Sequence, residues 1–497
     1  MVNRKRARFY LRVILLPIVL IAAILAVQAG TNAITGENMA AQASSSTVEG
    51  ANQLFLPMLF DTYPWQNPFA VEISTGISSG LLAKTEELGS SEVRLNRRIS
   101  WRNLQPDEGG PLQWDVMATT ENEMRSLNSK GIHPVMIIND YPSWATTNGS
   151  SCGPLIPEKE GEYAEFVRQL VKRYKMPEFN VHIWELGNEP DVDASLVAPD
   201  SHYGCWGDIN DTEYYGGQAY GQMLILVSQA IKDEDPSAKV WVGGLLLDRP
   251  NSTDSNNGHP ELFLKGILQA GAAPYIDAIP YHSYVSYNPS QPYQDWDNGI
   301  PDSPWYSWGG GVLGKARFLR QIMSAYGVDK PLYVDEIGLT CPQEFFTACN
   351  PPDATFYDMQ ANYLVRSYVR GLSENIQGYF WYTLNGPGWR NAGLLDAYNN
   401  PHPAYNAYQV LAQMLNNSQY AGPTSYGDGT EGYTFRVEGG QIDVVWAKTN
   451  TQIAISIPQA AFKQAFDRDN TPVPASLNGS YYQLSVGLKP VYIVRFP

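Results

Sequence analysis

Positive charge is scarce in this 497-residue chain: 34 Lys+Arg stand against 50 Asp+Glu, and five of the cations fall within the first twelve positions. Residues 1–43 hold Arg4, Lys5, Arg6, Arg8, Arg12 and one acid, Glu37; without them the balance is 29 against 49, or −20. A surface of that sign repels phosphate backbones, and no Lys/Arg stripe interrupts it, so nucleic acid is excluded as a partner. No P-loop and no zinc-spaced Cys/His set occurs, which argues against a nucleotide or a structural metal. No metal and no organic cofactor is expected. With 12% aromatic and 43% hydrophobic residues, the chain is rich enough to bury a large core, and disorder is excluded.

Long apolar runs are almost as scarce. The one at the N-terminus, 13–27, follows the basic head and suits the h-region of an export signal, while its length falls short of the ~20 residues of a spanning helix. Residues 1–43 therefore read as a signal peptide, or an uncleaved signal anchor, with a linker. Small-residue cleavage sites occur at Ala41-Gln42-Ala43 and Val27-Gln28-Ala29, and a Ser-rich lead-in covers 40–50. A secreted or extracellular protein follows, touching a membrane only through that segment. Cysteine is limited to four, Cys152, Cys205, Cys341 and Cys349, and in an exported chain these favour disulfides over metal binding or catalysis. Four cysteines allow three connectivities. Loop proximity favours Cys152 with Cys205 and Cys341 with Cys349.

What is abundant is alternation. β-rich runs at 71–77, 92–97, 133–139, 181–187, 240–246, 278–284, 332–337 and 378–383 are separated by segments with helical periodicity, among them 162–174, 217–231, 262–270 and 359–372. Eight such runs with crossover helices predict a (β/α)8 barrel over 50–415, longer than the usual ~250 residues but within range for a barrel with loop insertions. After a last helix at 404–414 the pattern changes to short strands at 433–437, 442–447, 453–457, 481–485 and 490–496. A compact antiparallel β-sandwich over 416–497 is predicted. The fold class is thus α/β, a TIM barrel with a small C-terminal sandwich.

The most informative segment is WELGNEPD, 184–191, where an alternating strand runs into an Asn-Glu-Pro turn. Pro190 cannot continue a strand ladder, so Glu189 emerges at the strand end where parallel barrels carry their chemistry. A second β run, PLYVDEIGLT at 331–340, ends with Glu336 beside Gly338. Counting β runs puts Glu189 on the fourth strand and Glu336 on the seventh. With Asn188 before the first glutamate, this arrangement resembles the retaining (β/α)8 glycoside hydrolases of clan A, most like family 39 or a related xylosidase-like family, over nearly the whole mature chain.

The resemblance implies a secreted enzyme that cleaves β-linked oligo- or polysaccharides by double displacement, Glu336 acting as nucleophile and Glu189 as acid/base. It places the two carboxyls ~5 to 5.5 Å apart, with Glu336 ionised and Glu189 carrying a proton. It also assigns supporting parts to Arg94 on strand two, Asn188 beside the acid, His282 and Tyr284 on strand six, and Trp381 on strand eight as an apolar floor for the sugar ring. Glu185 shares the parity of Glu189 and is expected to point into the barrel, whereas Asp335, of opposite parity to Glu336, is expected at a helix or a salt bridge. Trp305, Tyr306 and Trp308 are candidates for outer subsites or for loop packing. One departure stands out: relatives carry a His near the end of strand three, where this chain reads Asn139-Asp140-Tyr141, with His133 at the strand start. Two other readings are a non-catalytic glycan-binding protein on the same barrel and a cell-surface adhesion protein held by the N-terminal segment.

Overall fold

The computed structural model describes residues 67–251, 258–297, 300–301 and 303–496. The leader and lead-in expected over 1–50 lie outside the described residues. Eight parallel strands, β1 (Phe69–Glu72), β2 (Glu92–Ser100), β3 (His133–Asn139), β4 (Ile183–Asn188), β5 (Lys239–Gly244), β6 (Ile279–Ser286), β7 (Leu332–Thr340) and β8 (Gly378–Trp381), form one sheet. Its order is β5-β4-β3-β2-β1-β8-β7-β6. Parallel bridges from Trp241 to Ala278 and from Leu245 to Tyr281 join β5 to β6 and bring the sheet round to a barrel. A main helix follows each strand: α1 (Ser79–Glu87), α2 (Ala118–Asn128), α3 (Glu160–Tyr174), α4 (Gly217–Glu234), α5 (Phe263–Gln269), α6 (Gly311–Ala325), α7 (Ala354–Ser373) and α8 (Pro403–Leu415), with a further single turn at Trp101–Leu104 after β2.

The first strand starts and stops earlier than the predicted 71–77. Beyond Glu72 the backbone turns towards the β8 loop, where the Leu384 amide donates to the Glu72 carbonyl and the Ser74 amide donates to the Asn385 side chain. Helix α2 escaped the sequence pattern because its inner face is partly polar. It buries Thr120, Glu121 and Glu123 beside Met124 and Leu127, and Glu121 is paired by Arg125 and by Arg173 of α3.

The barrel interior is layered. Its floor is apolar: Ala70, Val135, Ile183, Trp241, Tyr333 and Phe380 from six strands, with Ala278 just before β6. Trp241 stacks on Tyr333 with centroids 4.4 Å apart, and small alanines on β1 and just before β6 leave it room. Because side chains alternate along a strand, the next inward positions above this floor include Glu72, Arg94, Glu185 and Asp335. These are charged, and all are fully buried.

Eight further strands follow α8: β9 (Gln419–Thr424), β10 (Thr430–Val437), β11 (Gly440–Ala447), β12 (Ile453–Pro458), β13 (Phe462–Asp467), β14 (Ser476–Asn478), β15 (Tyr481–Val486) and β16 (Val491–Arg495). They form antiparallel sheets of order β13-β16-β11-β10-β9 and β12-β15-β14. Val445, Val491 and Ile493 of the larger sheet meet Ile455, Ile457, Leu484 and Val486 of the smaller one in a separate core. The strands absent from the sequence reading, β9, β13 and β14, lie at sheet edges, where exposure removes the alternation that a sequence pattern needs.

The sandwich packs on α7, whose residues from Met359 to Gly371 are buried throughout. Arg370 of α7 is 1% exposed and pairs with Glu431 of β10 at 2.7 Å and with Asp295 of the β6 loop at 2.5 Å. Its guanidinium also lies over Trp446 of β11. Arg468, equally buried, returns the contact from the sandwich to Asp358 and Asn362 of α7. Removing one partner of a buried ion pair leaves uncompensated charge. Arg370→Ala is therefore expected to lower the unfolding free energy by about 3 kcal/mol, while the exposed Arg317→Ala costs under about 1 kcal/mol, both read from urea unfolding curves.

Candidate active site

The C-terminal ends of the strands gather the carboxylates around one guanidinium. Arg94, inward on β2, donates from Nε and Nη2 to both oxygens of Glu185 (2.9 and 2.6 Å), from Nη2 to Asn188 Oδ1 (2.6 Å), and from Nη1 to Glu336 Oε1 (2.5 Å) and to Glu72. Glu185 points into the barrel and is held further by the Gly244 amide at 3.1 Å. Glu72 on β1 was not singled out from the sequence. A charged residue in a short, otherwise apolar strand was the signal available.

Glu336 reaches this cluster through a bulge. Tyr281 pairs with Val334 and His282 with Glu336, so Asp335 is an extra residue in β7; against β8, Asp335 and Glu336 lie between the pairs Val334–Tyr379 and Ile337–Trp381. Simple alternation from the inward Tyr333 would turn Asp335 in and Glu336 out. The bulge brings both inside. The expectation that Asp335 faces a helix is thereby corrected, since its carboxyl lies 3.5 Å from Arg94 Nε and 3.7 Å from His282 Nε2.

Glu189 leaves β4 with φ of 49°, its amide donating to the Gly244 carbonyl at 2.9 Å. The turn swings its carboxyl over the barrel mouth to His282 Nδ1, 2.9 Å from Oε1. The same nitrogen is 3.5 Å from Glu336 Oε2. One carboxyl oxygen each of Glu189 and Glu336 and one ring nitrogen of His282 lie within 4.8 Å of one another. Tyr284, two residues beyond His282 on the same face, donates its hydroxyl to Glu336 Oε2 at 2.5 Å.

These contacts give the buried groups different protonation. Burial by itself raises Glu336, but the charges on His282 and Arg94 and the Tyr284 hydroxyl outweigh it and hold the carboxyl below its usual range. Burial, with Glu336 adding repulsion, pushes Glu72 up to about 8. Burial, then Glu185, pushes Asp335 up to about 8 as well. Burial lowers His282, yet Glu336, Asp335 and Glu189 together raise it to about 9.

Trp381 is placed elsewhere than the sequence reading had it. It pairs with the outward positions Val71 and Ile337, is fully buried against Tyr363 of α7, and donates its indole N–H to the Ala392 carbonyl at 2.8 Å. Alternation puts the next residue, Tyr382, on the cleft side, edge-on to Tyr284 at 5.8 Å. Trp389, in the loop after β8, was missed. It is 39% exposed and edge-on to Tyr284 at 5.3 Å, one ring away from Glu336. Trp305 and Trp308 pack on Phe318 of α6, as loop packing, and Tyr306 is exposed. His133 is at the far end of the barrel beside Asn180, and Asp140 ties the end of β3 to Ser100 and Arg102.

Both expected disulfides are present. Cys152–Cys205 joins the loops after β3 and β4, and Cys341–Cys349 closes the loop after β7. The Cys341 amide donates to the Arg390 carbonyl at 2.7 Å, and the Arg390 guanidinium, paired with Glu344, lies 4.5 Å from the Trp389 ring. The stapled loop thus backs the exposed Trp389 at the mouth. Among the described residues no helix is long and apolar enough to cross a membrane.

Glu72, Asp335 and His282 all keep their protons to a higher pH folded than unfolded, where their ordinary values are 4.5, 3.8 and 6.5. Their stabilisation is complete below those unfolded values and is lost as pH climbs through about 8 for the two acids and about 9 for His282. The thermal midpoint should therefore fall between about pH 5 and pH 9, with each group contributing up to about 1.4 kcal/mol per pH unit inside its window. Glu72→Gln, which keeps the shape without the titration, should flatten that slope in a calorimetric pH series.

No family model matches the chain, and no curated protein matches it. Solved structures do. A family 39 glycoside hydrolase from the gut symbiont Bacteroides cellulosilyticus superposes with a TM-score of 0.63 at 19% identity, covering 86% of this chain and 81% of that one. A family 39 β-xylosidase from Caulobacter crescentus gives 0.56 at 16%, covering 87% and 96%. A family 30 subfamily 8 xylanase from Clostridium acetobutylicum gives 0.57 at 12%, covering 86% and 96%. The chain therefore has the (β/α)8 fold found in clan A glycoside hydrolases of families 39 and 30.

Proposed function

We propose that this protein is a secreted retaining glycoside hydrolase acting on β-linked glycans, with Glu336 as nucleophile and Glu189 as acid/base. The observation that carries the reading is the asymmetry of the pair. Glu336 is buried, hydrogen-bonded by Arg94 and Tyr284 and held ionised, while Glu189, on the opposite side of the same opening, contacts only His282 among these groups and keeps partial exposure. Their approach within 4.8 Å favours direct attack at the anomeric carbon over a water-mediated inversion, which needs carboxyls ~6.5 to 9.5 Å apart. Two disulfides suit an extracellular protein.

In the first step a Glu336 oxygen forms a bond to the anomeric carbon as the glycosidic C–O bond breaks, and Glu189 gives its proton to the departing oxygen. In the second, Glu189 takes a proton from water, whose oxygen displaces Glu336 and restores the β-configuration. Asn188, its Oδ1 fixed by Arg94, presents its amide N–H2 to the sugar 2-hydroxyl. Tyr382 and Trp389 line the opening with aromatic faces. Two of the neighbours act on xylosides or xylan, so β-xylosides are the donors to test first.

Glu336→Ala should lose at least about 10⁴-fold in kcat on an aryl β-glycoside, and azide should restore turnover as the α-glycosyl azide. Glu189→Ala should keep activity on a good leaving group and yield the β-azide. Wild-type silence across aryl glycosides and β-linked oligosaccharides, or a mutant pair insensitive to azide, would refute the assignment. Trp389→Ala should raise KM about 10-fold on oligosaccharides, with kcat on a small aryl glycoside little changed; equal kinetics for the variant and wild type would remove the platform role.

A further inference from the structure

Asp335 has no part in the double displacement, yet the bulge in β7 leaves it pointing inward beside Glu336. It lies behind His282. The histidine faces the opening with Nδ1, which is 2.9 Å from Glu189 and 3.5 Å from Glu336, and faces Asp335 with Nε2, 3.7 Å from Oδ1. Nε2 and both Asp335 carboxyl oxygens are buried, and none of the three makes a hydrogen bond to a protein group. On the third side stands Gly244, where a Cβ would run into His282 Nε2 and Asp335 Oδ2 together. Behind, the Lys315 ammonium donates to the His282 carbonyl at 2.8 Å. The rear of the imidazole is thus a fitted polar pocket.

The charge movement of the reaction gives this pocket a task. When Glu336 forms its ester it loses its negative charge, and Glu189, having passed its proton to the leaving group, gains one. Hydrolysis reverses both changes. One unit of negative charge therefore moves between two carboxylates that share a single N–H donor. We propose that Asp335 is a positioning residue: by accepting from His282 Nε2–H, directly or through one water, it fixes the ring with Nδ1–H between Glu189 and Glu336, so that His282 stabilises whichever of them carries the charge.

The proposal rests on the glycosidase reading. Burial pushes the Asp335 carboxyl up to about 8, so near pH 9, where His282 titrates, it is ionised and its charge helps the ring keep the Nε2 proton, which a neutral amide there does not. Charged and titratable groups from every surrounding element take part in the same field: Glu72 on β1, Arg94 on β2, Glu185 and Glu189 on and after β4, Glu336 on β7, Tyr284 on β6 itself, Tyr382 after β8, and Lys315 on α6.

Nitrogen-15 NMR of the six histidines, with His282 identified by its loss in His282→Gln, reads the linkage without any substrate. In the wild type His282 should remain doubly protonated at pH 8; a neutral ring there would overturn the proposal even if the variants fail to fold. In Asp335→Asn its midpoint should fall by about one pH unit or more, and the alkaline limb of kcat/KM should fall with it. Deglycosylation should slow about tenfold, seen as lower kcat with KM unchanged or reduced on a good leaving group. Gly244→Ala, which pushes a methyl into the same pocket, should act alike. An unshifted His282 midpoint with a wild-type pH profile in a folded Asp335→Asn protein would refute the positioning role. A shifted His282 midpoint in a protein that turns over no glycoside would instead count against the glycosidase reading and leave the linkage standing.

Discussion

The buried guanidinium of Arg94 is the constraint to which the site conforms. Four carboxyls from β1, β4 and β7 converge on it, namely Glu72, Glu185, Asp335 and Glu336, each removed from bulk water. An isolated charge at that depth would cost several kcal/mol, so the cation and its partners stand only as a set. The acids outnumber the positive charges close by, Arg94 and His282. Burial consequently holds Glu72 and Asp335 protonated up to about 8, while Glu336, which receives hydrogen bonds from both Arg94 and Tyr284, is held ionised.

The rest of the barrel serves that set. An apolar floor of Ala70, Val135, Ile183, Trp241, Ala278, Tyr333 and Phe380 closes the interior below it and keeps the local dielectric low, which strengthens every charge interaction above. The bulge in β7 supplies two acids where alternation supplies one. Gly244 lets backbone approach His282 and Asp335 where any side chain would collide. Around the mouth, stapled loops replace secondary structure: Cys341–Cys349 holds Arg390, and Arg390 supports Trp389. The sandwich is fastened to α7 by Arg370 and Arg468, so the helix behind β7 and β8 is gripped from both sides.

Much of this was legible in the chain. The eight alternating runs, the turn to short strands after 415 and the strands that carry Glu189 and Glu336 could be read from local pattern, because each depends on a period or a turn carried by a few adjacent residues, and loop proximity suggested the pairing of the four cysteines. Arg94, His282 and Tyr284 were singled out through the resemblance to clan A, which points to positions on strands two and six. Edge strands β9, β13 and β14 were not, since exposure erases their alternation.

The sequence alone determined the barrel, the sandwich and the strands, fourth and seventh, that carry the two candidate acids. Tertiary structure decided which side chains face the site at the bulge and beyond. Parity counted along one strand cannot register an extra residue whose only signature is its pairing with neighbouring strands. That is why Asp335 was turned the wrong way, while Trp381, taken from the resemblance, gave way to Tyr382 once its pairing with Val71 and Ile337 showed it facing outward, and Glu72 and Trp389, joined to the site through distant partners, became visible only once the strands were assembled.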